Sequence, residues 1–272
     1  MRHQNKKGKT IFIPHRVFNK TSIYLALFRK VEKKDFLGYE AVIPLGENGT
    51  ITVQSMSNIS PHDGLVFDFV LNQWQSAKKA NQEITYIEVD IEAIIHALKL
   101  KNRTENRAKV IQHLKNMCKV SISFAFDKNE ILFNMLESVM IIDGTSSVSV
   151  VVSSTYEKAT IIAKPRYINI DKVMSLKNSH AIELQRLLQM DGQGVSKKWE
   201  PRFAKTIEHQ RVCNYLHLSD NKSSLDAIRR AFKALESIGL PRYKYSSKRA
   251  LWSQVTTTES VVLNTESVVL NT

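Results

Sequence analysis

Cysteine is scarce in these 272 residues: Cys118 and Cys213 lie far apart, each inside a helical apolar pattern. With no C-x-x-C there is no zinc ribbon and no redox pair, and both read as small buried residues in a reducing compartment. Long apolar runs are missing too. No 18-residue stretch is apolar enough to span a bilayer, and charges interrupt the sequence after the basic start MRHQNKKGKT, so no signal-peptide core forms. A cytoplasmic protein with no membrane partner is expected. Hydrolase signatures are absent as well, with no G-x-S-x-G and no H-E-x-x-H. None of the eight histidines has another two residues away, which removes the His-x-His metal pair that rolling-circle nickases need. Gly8-Lys9-Thr10 imitates the end of a P-loop, but the first glycine of that motif falls on His3. Glu88, Asp90 and Glu92 alternate as metal carboxylates can, yet a helix cap and exposed strand positions account for them. His96, His113 and His217 read as helix-surface or core residues. No enzyme, cofactor or metal is expected.

Acid is the other shortage. Lys and Arg number 39 against 26 Asp and Glu, a net charge of +13 and a pI near 9.6. Such a surplus speaks of partners rather than of fold. Nucleic acid is the first candidate, ahead of an anionic membrane or an acidic protein. The 43% hydrophobic content suits a globular chain of one or two domains.

Along the chain, residues 1–20 read as a basic arm and 21–31 as a short helix. Residues 36–55 carry glycine turn signals between β-rich runs and predict a hairpin. Pro61 opens a helix with Asp63 in its first turn. ITYIEV (84–89) alternates like a strand, and Asp90 caps a helix over 91–100. A basic helix fills 101–120, followed by the β-rich SISFAF, EILFNML and SVMIID. Asp143 to Ser147 is the best internal boundary, so SVSVVVSS and ATIIAKPRYINI are expected to begin the second half. Helices follow over 179–194, 206–218 and 222–238, the last closed by Gly239 and Pro241, and 243–255 reads as a basic hairpin.

The two halves repeat one another at a shift of 118 residues. Ile94, Ile95, Leu98 and Leu100 fall on Val212, Cys213, Leu216 and Leu218. Val110, Leu114, Met117 and Val120 fall on Ile228, Phe232, Leu235 and Ile238. Val66, Phe69 and Val70 fall on Leu184, Leu187 and Leu188. One register across three helices and two loops is hard to obtain from amphipathicity alone. Each half then runs helix, extended piece, helix, turn, basic helix, strands, which is the winged-helix order. The expected fold is α+β, with two tandem winged-helix domains over 21–145 and 146–255. The arm (1–20) and a tail (256–272) lie outside them. The tail repeats ESVVLNT in tandem, too short and too β-prone for a coiled coil, and reads as a slipped duplication.

The third helix of each half is the candidate reading head. In the first, Val110, Leu114 and Met117 make the apolar stripe, and Lys109, Gln112, Lys115 and Asn116 face the other way. Lys101, Asn102, Arg103, Thr104, Asn106 and Arg107 gather at its start, where free N–H groups favour phosphate. Arginine matches guanine and Asn or Gln matches adenine, both bidentately. In the second, the stripe is Leu225, Ile228, Phe232 and Leu235. Asp226, Arg229, Arg230, Lys233 and Ser237 lie opposite, and Lys222, Ser223 and Ser224 stand at the start. The hairpin adds Arg242, Lys244, Lys248 and Arg249. Residues 201–255 hold eleven Lys and Arg against four Asp and Glu, a net of +7 in a fifth of the length.

On NKTSIYLALF (19–28), SPHDGLVFDFVLNQW (60–74), ITYIEVDIEAIIHALKL (84–100), NRAKVIQHLKNM (106–117), SHAIELQRLLQ (179–189) and LDAIRRAFKALESIG (225–239), the chain resembles the tandem winged-helix replication initiators of bacterial iteron plasmids, TrfA-type initiators included. The resemblance implies binding to tandem origin repeats (iterons), opening of an AT-rich segment and recruitment of a host initiator and helicase. It also implies dimers in equilibrium with monomers, the first domain contributing dimerisation and secondary DNA contact and the second the main base reading. The residues then expected at DNA are Lys101, Asn102, Arg103, Asn106, Arg107, Lys109 and Lys115 in the first domain. In the second they are Lys222, Ser223, Ser224, Asp226, Arg229, Arg230, Lys233, Lys244, Lys248 and Arg249. A winged-helix transcriptional regulator without a replication role is the alternative.

Overall fold

A computed structural model describes residues 10–12, 39–45, 49–55, 59–126, 129–141, 145–154, 167–192, 203–216 and 218–255. The expected helix at 21–31 and the repeated tail lie outside these residues.

The long helix α1 (Pro61–Ala80) starts where the sequence provides a cap. Asp63 N–H donates to Ser60 Oγ at 3.3 Å and Ser60 N–H donates back to Asp63 Oδ2 at 2.6 Å. Leu65, Val66, Phe67, Phe69, Val70, Leu71 and Trp74 are all buried, so this helix is enclosed on most of its circumference. Strand β4 (Ile87–Asp90), helix α2 (Ile91–Ala97) and helix α3 (Thr104–Cys118) follow. Ile94, Leu98, Val110, Leu114 and Met117 are buried in the same core as α1, and α3 packs on α1. Strands β7 (Leu136–Ile141) and β8 (Ser147–Val152) complete a sheet of order β4-β8-β7.

The second half repeats this plan with helix α5 (Ser179–Asp191), strand β10 (Thr206–Glu208), helix α6 (His209–Tyr215) and helix α7 (Lys222–Ser237). Strands β11 (Tyr243–Ser246) and β12 (Leu251–Gln254) finish it, with sheet order β10-β12-β11. In both sheets the strand that precedes the second helix pairs with the last strand of the hairpin. The 118-residue register is kept to the residue: α1 and α5 begin at 61 and 179, α2 and α6 span 91–97 and 209–215, and α3 and α7 begin at 104 and 222. Caps fall in the same register, Ser60 with Asn178, Asp90 with Glu208 and Arg103 with Asn221.

Helices α1 and α5 pack on each other. Asp68 and Arg186 meet there at 2.6 Å, and their positions differ by the same 118 residues. The ion pair thus joins equivalent positions of the two halves.

Several sequence expectations change. The boundary placed at 145/146 falls between β7 and β8, which pair with each other, so the first half's sheet extends to Val152. TIE (206–208) is a strand paired with β12 rather than the first turn of a helix. Within the expected arm, β1 (Thr10–Phe12) pairs with β9 (Tyr167–Asn169), just ahead of the short helix α4 (Ile170–Val173). The expected hairpin forms as β2 (Tyr39–Leu45) and β3 (Gly49–Ser55), and it joins β5 (Val120–Phe126) and β6 (Asn129–Asn134) in a separate sheet of order β2-β3-β5-β6. Here the repeats diverge. After α7 the chain turns at Gly239, whose φ of 76° suits a residue without a side chain. After α3 it runs directly into β5.

Candidate nucleic-acid interface

The amphipathic pattern of α7 sorts its residues as the sequence suggests. Ile228, Ala231, Phe232 and Leu235 are buried, while Lys222, Ser223, Arg229, Arg230 and Lys233 are exposed. Beneath the helix lies an aromatic cluster, with Phe232 4.4 Å from Trp252 and 4.8 Å from Tyr243, and Tyr245 5.0 Å from Trp252, between ring centroids. The Tyr243 hydroxyl donates to Ala204 O, and burial pushes its pKa well up. This cluster ties the β11–β12 hairpin to α7, so the hairpin's Lys244, Lys248 and Arg249 are carried on a packed base.

Among the described residues Lys222, Arg230, Lys233, Lys244, Lys248 and Arg249 have no ion-pair partner. A cation with no internal partner keeps its full capacity for an external anion. Two expected site residues are otherwise engaged. Ser224 is buried and its N–H donates to Asn221 Oδ1 at 2.9 Å, closing the helix cap. Asp226 accepts from Arg229 at 3.0 Å, which keeps Arg229 partly neutralised.

The first unit offers less. Lys101, Asn102, Arg103, Lys109 and Lys115 are exposed around α3. Asn106, however, donates to Lys101 O at 2.8 Å, and Arg107 is paired with Glu92 at 2.7 Å. Asn116 is not on the outward side but buried, donating to Asp63 Oδ1 at 2.9 Å. His113 reaches the same carboxylate oxygen at 2.9 Å. Burial works to raise the Asp63 pKa, yet the bonds from His113, Ser60 and Asn116 outweigh it and hold the carboxyl below its ordinary value. The two sheets differ in charge as well. Strands β4, β7 and β8 carry Glu88, Asp90 and Glu137 and no Lys or Arg, and they expose Tyr86 at their entrance and Met140 on the edge strand. The strands of the first unit's hairpin carry no cation, whereas the second hairpin presents Lys244 on β11 and Lys248 and Arg249 at its turn.

Asp68, Arg186 and His209 escaped sequence reasoning, and Asp63, read only as a first-turn acid, also ties α1 to α3; all four are buried polar groups that bridge elements. For Asp68 and Arg186 a signal existed, since opposite charges occupy equivalent positions of two apolar helices. Burial raises the thiol pKa of both Cys118 and Cys213, which moves them away from reactive thiolate character.

No family model matches the sequence, and no curated protein matches it. Solved structures do. The fold resembles that of RctB domains 2 and 3. A crystal structure of selenomethionine derivatives of these domains superposes with a TM-score of 0.56 at 10% identity, covering 78% of this chain and 81% of the other. A second crystal structure of RctB domains 2–3 gives 0.54 at 10% identity, over 79% and 82%. No helix among the described residues is long and apolar enough to cross a membrane.

Proposed function

We propose that this protein is a replication initiator that binds double-stranded DNA sequence-specifically, each half acting as a winged helix. RctB is a replication initiator, and the shared fold over about four-fifths of both chains supports the same role here. The observation that carries the DNA reading is α7, which sets Lys222, Arg230 and Lys233 on its exposed side, unpaired, beside a hairpin bearing three more unpaired cations. In this arrangement α7 enters the major groove and the β11–β12 wing follows the backbone. The first unit contributes a weaker contact through Lys101, Arg103, Lys109 and Lys115. Its wing strands carry Glu137 and no cation, which leaves that unit for assembly, as a dimer or with a host initiator and helicase.

The substrate is a plasmid origin with short repeats, which the protein binds and helps to open. The test has two parts. A plasmid lacking its own origin is expected to replicate when it carries this gene with its flanking DNA. Arg230→Ala with Lys233→Ala is expected to abolish both replication and sequence-specific binding while thermal unfolding stays unchanged, because neither side chain touches the core. Unchanged affinity in the double variant contradicts the assignment of α7. Binding without replication favours a transcriptional regulator.

A further inference from the structure

A buried histidine in the second unit connects three parts of the surface assigned to DNA. His209 opens α6, and its backbone N–H donates to Ala250 O at 2.8 Å, directly after the wing tip Ser247–Arg249. Its Nδ1 accepts from Trp252 Nε1 at 3.2 Å on wing strand β12. Its Nε2 lies 3.3 Å from Asp220 Oδ1, one residue before Asn221, whose side chain caps α7 beside Lys222. The ring of Tyr245 is 5.1 Å away.

Chemistry fixes the direction of these bonds. An indole N–H only donates, so Nδ1 carries no proton and Nε2 carries it, facing Asp220 Oδ1 at 3.3 Å and Cys213 Sγ at 3.5 Å. The ligand-type atoms of His209, Cys213 and Asp220 lie within 4.8 Å of one another. A metal on Nε2 requires Nδ1 to be the donor, as metal-bound histidines donate through their other nitrogen. Here Nδ1 faces another donor. The trio is therefore a polar relay rather than a metal site.

The first unit supplies an internal comparison. Its equivalent residue, Ile91, keeps the backbone bond, donating to Ser146 O at 2.9 Å, but its buried side chain has no polar link to offer. That unit's wing strands carry no cation. The side-chain relay occurs in the unit whose wing presents Lys248 and Arg249.

We propose that His209 is a positioning residue for DNA contact, fixing the wing cations Lys248 and Arg249 relative to the start of α7. This rests on the DNA-binding reading above. Two variants each cut one end of the relay in the full chain. Trp252→Phe keeps a ring in the aromatic cluster and removes the donor. Asp220→Ala removes a carboxylate 3.3 Å from Nε2 whose side chain is 60% exposed, so the fold tolerates it.

Affinity for a random-sequence duplex is measured against salt, with and without Lys248→Ala plus Arg249→Ala. In the parent, losing both wing cations is expected to weaken binding about tenfold and to lower the salt slope by about 2. In either relay variant the same loss is expected to cost less than about twofold, because an unfixed wing no longer delivers its cations. Lys233→Ala is expected to cost the same in every background. Wing substitutions that cost as much in the relay variants as in the parent overturn the proposal. Should Trp252→Phe not fold, Asp220→Ala decides alone. A parent that binds no duplex overturns the DNA-binding reading itself, and the positioning role falls with it.

Discussion

Asp68 occupies the place where a carboxylate is hardest to keep charged. It is 0% exposed, and its Oδ1 is buried without a hydrogen-bond partner among the described residues. Burial pushes its pKa from 3.8 up to about 7, against the pull of Arg186. The folded chain therefore holds a proton that the unfolded chain has already released above 3.8. This contribution to stability is fully present below 3.8 and is lost as pH rises through about 7. Asp63 behaves in the opposite sense: its lowered pKa gives stability above 3.8 that is lost as pH falls through the lower folded value. Urea unfolding of the parent and of Asp68→Asn is expected to show the parent's advantage shrinking between pH 5 and pH 8. A difference independent of pH contradicts this account of the pair. Asp68→Ala, which removes one member of the buried pair, is expected to cost about 3 kcal/mol.

At the scale of elements, caps decide where α7 begins. Asn221 holds the free N–H of Ser224, and Lys222 and Ser223 follow it directly. Asn221→Ala is expected to cost about 1 kcal/mol in thermal unfolding, and Asn221→Ser only a fraction of that. Equal losses in the two variants contradict a capping role. This is also the scale at which the sequence was most legible. Helix starts, apolar stripes and the 118-residue register are local or periodic features, and they appear where the spacing of Val110, Leu114 and Met117, and of Ile228, Phe232 and Leu235, predicts them. Strand partners are not local. SVSVVV reads as a strand from its own residues, yet nothing in it says that it pairs backward with β7 and β4. TIE is too short to show an alternation of its own, and the helical pattern after it absorbed it. Among the site residues, the exposed cations of α7 and the hairpin follow from amphipathicity. The engaged Ser224, Asn106, Arg107 and Asn116 do not, because each is claimed by a partner distant from the periodic pattern or by the cap itself.

At the scale of the molecule, two repeats share one contact between equivalent residues, Asp68 on α1 and Arg186 on α5. Under the proposed function, the two halves would offer α3 and α7 to two half-sites, as helix-turn-helix dimers do with their reading helices. The charges are unequal, so the proposal expects the second unit to dominate binding and the first to refine it. The central claim is that one chain reads duplex DNA at two places with unequal strength. The most direct test recovers preferred duplexes from a random-sequence library with the purified full chain and footprints their major grooves. The account predicts a preferred sequence with two protected patches on one face, about one helical turn apart. The stronger patch is expected to vanish in Arg230→Ala with Lys233→Ala. A library from which no preferred sequence emerges, or a single patch that survives the double substitution, contradicts it.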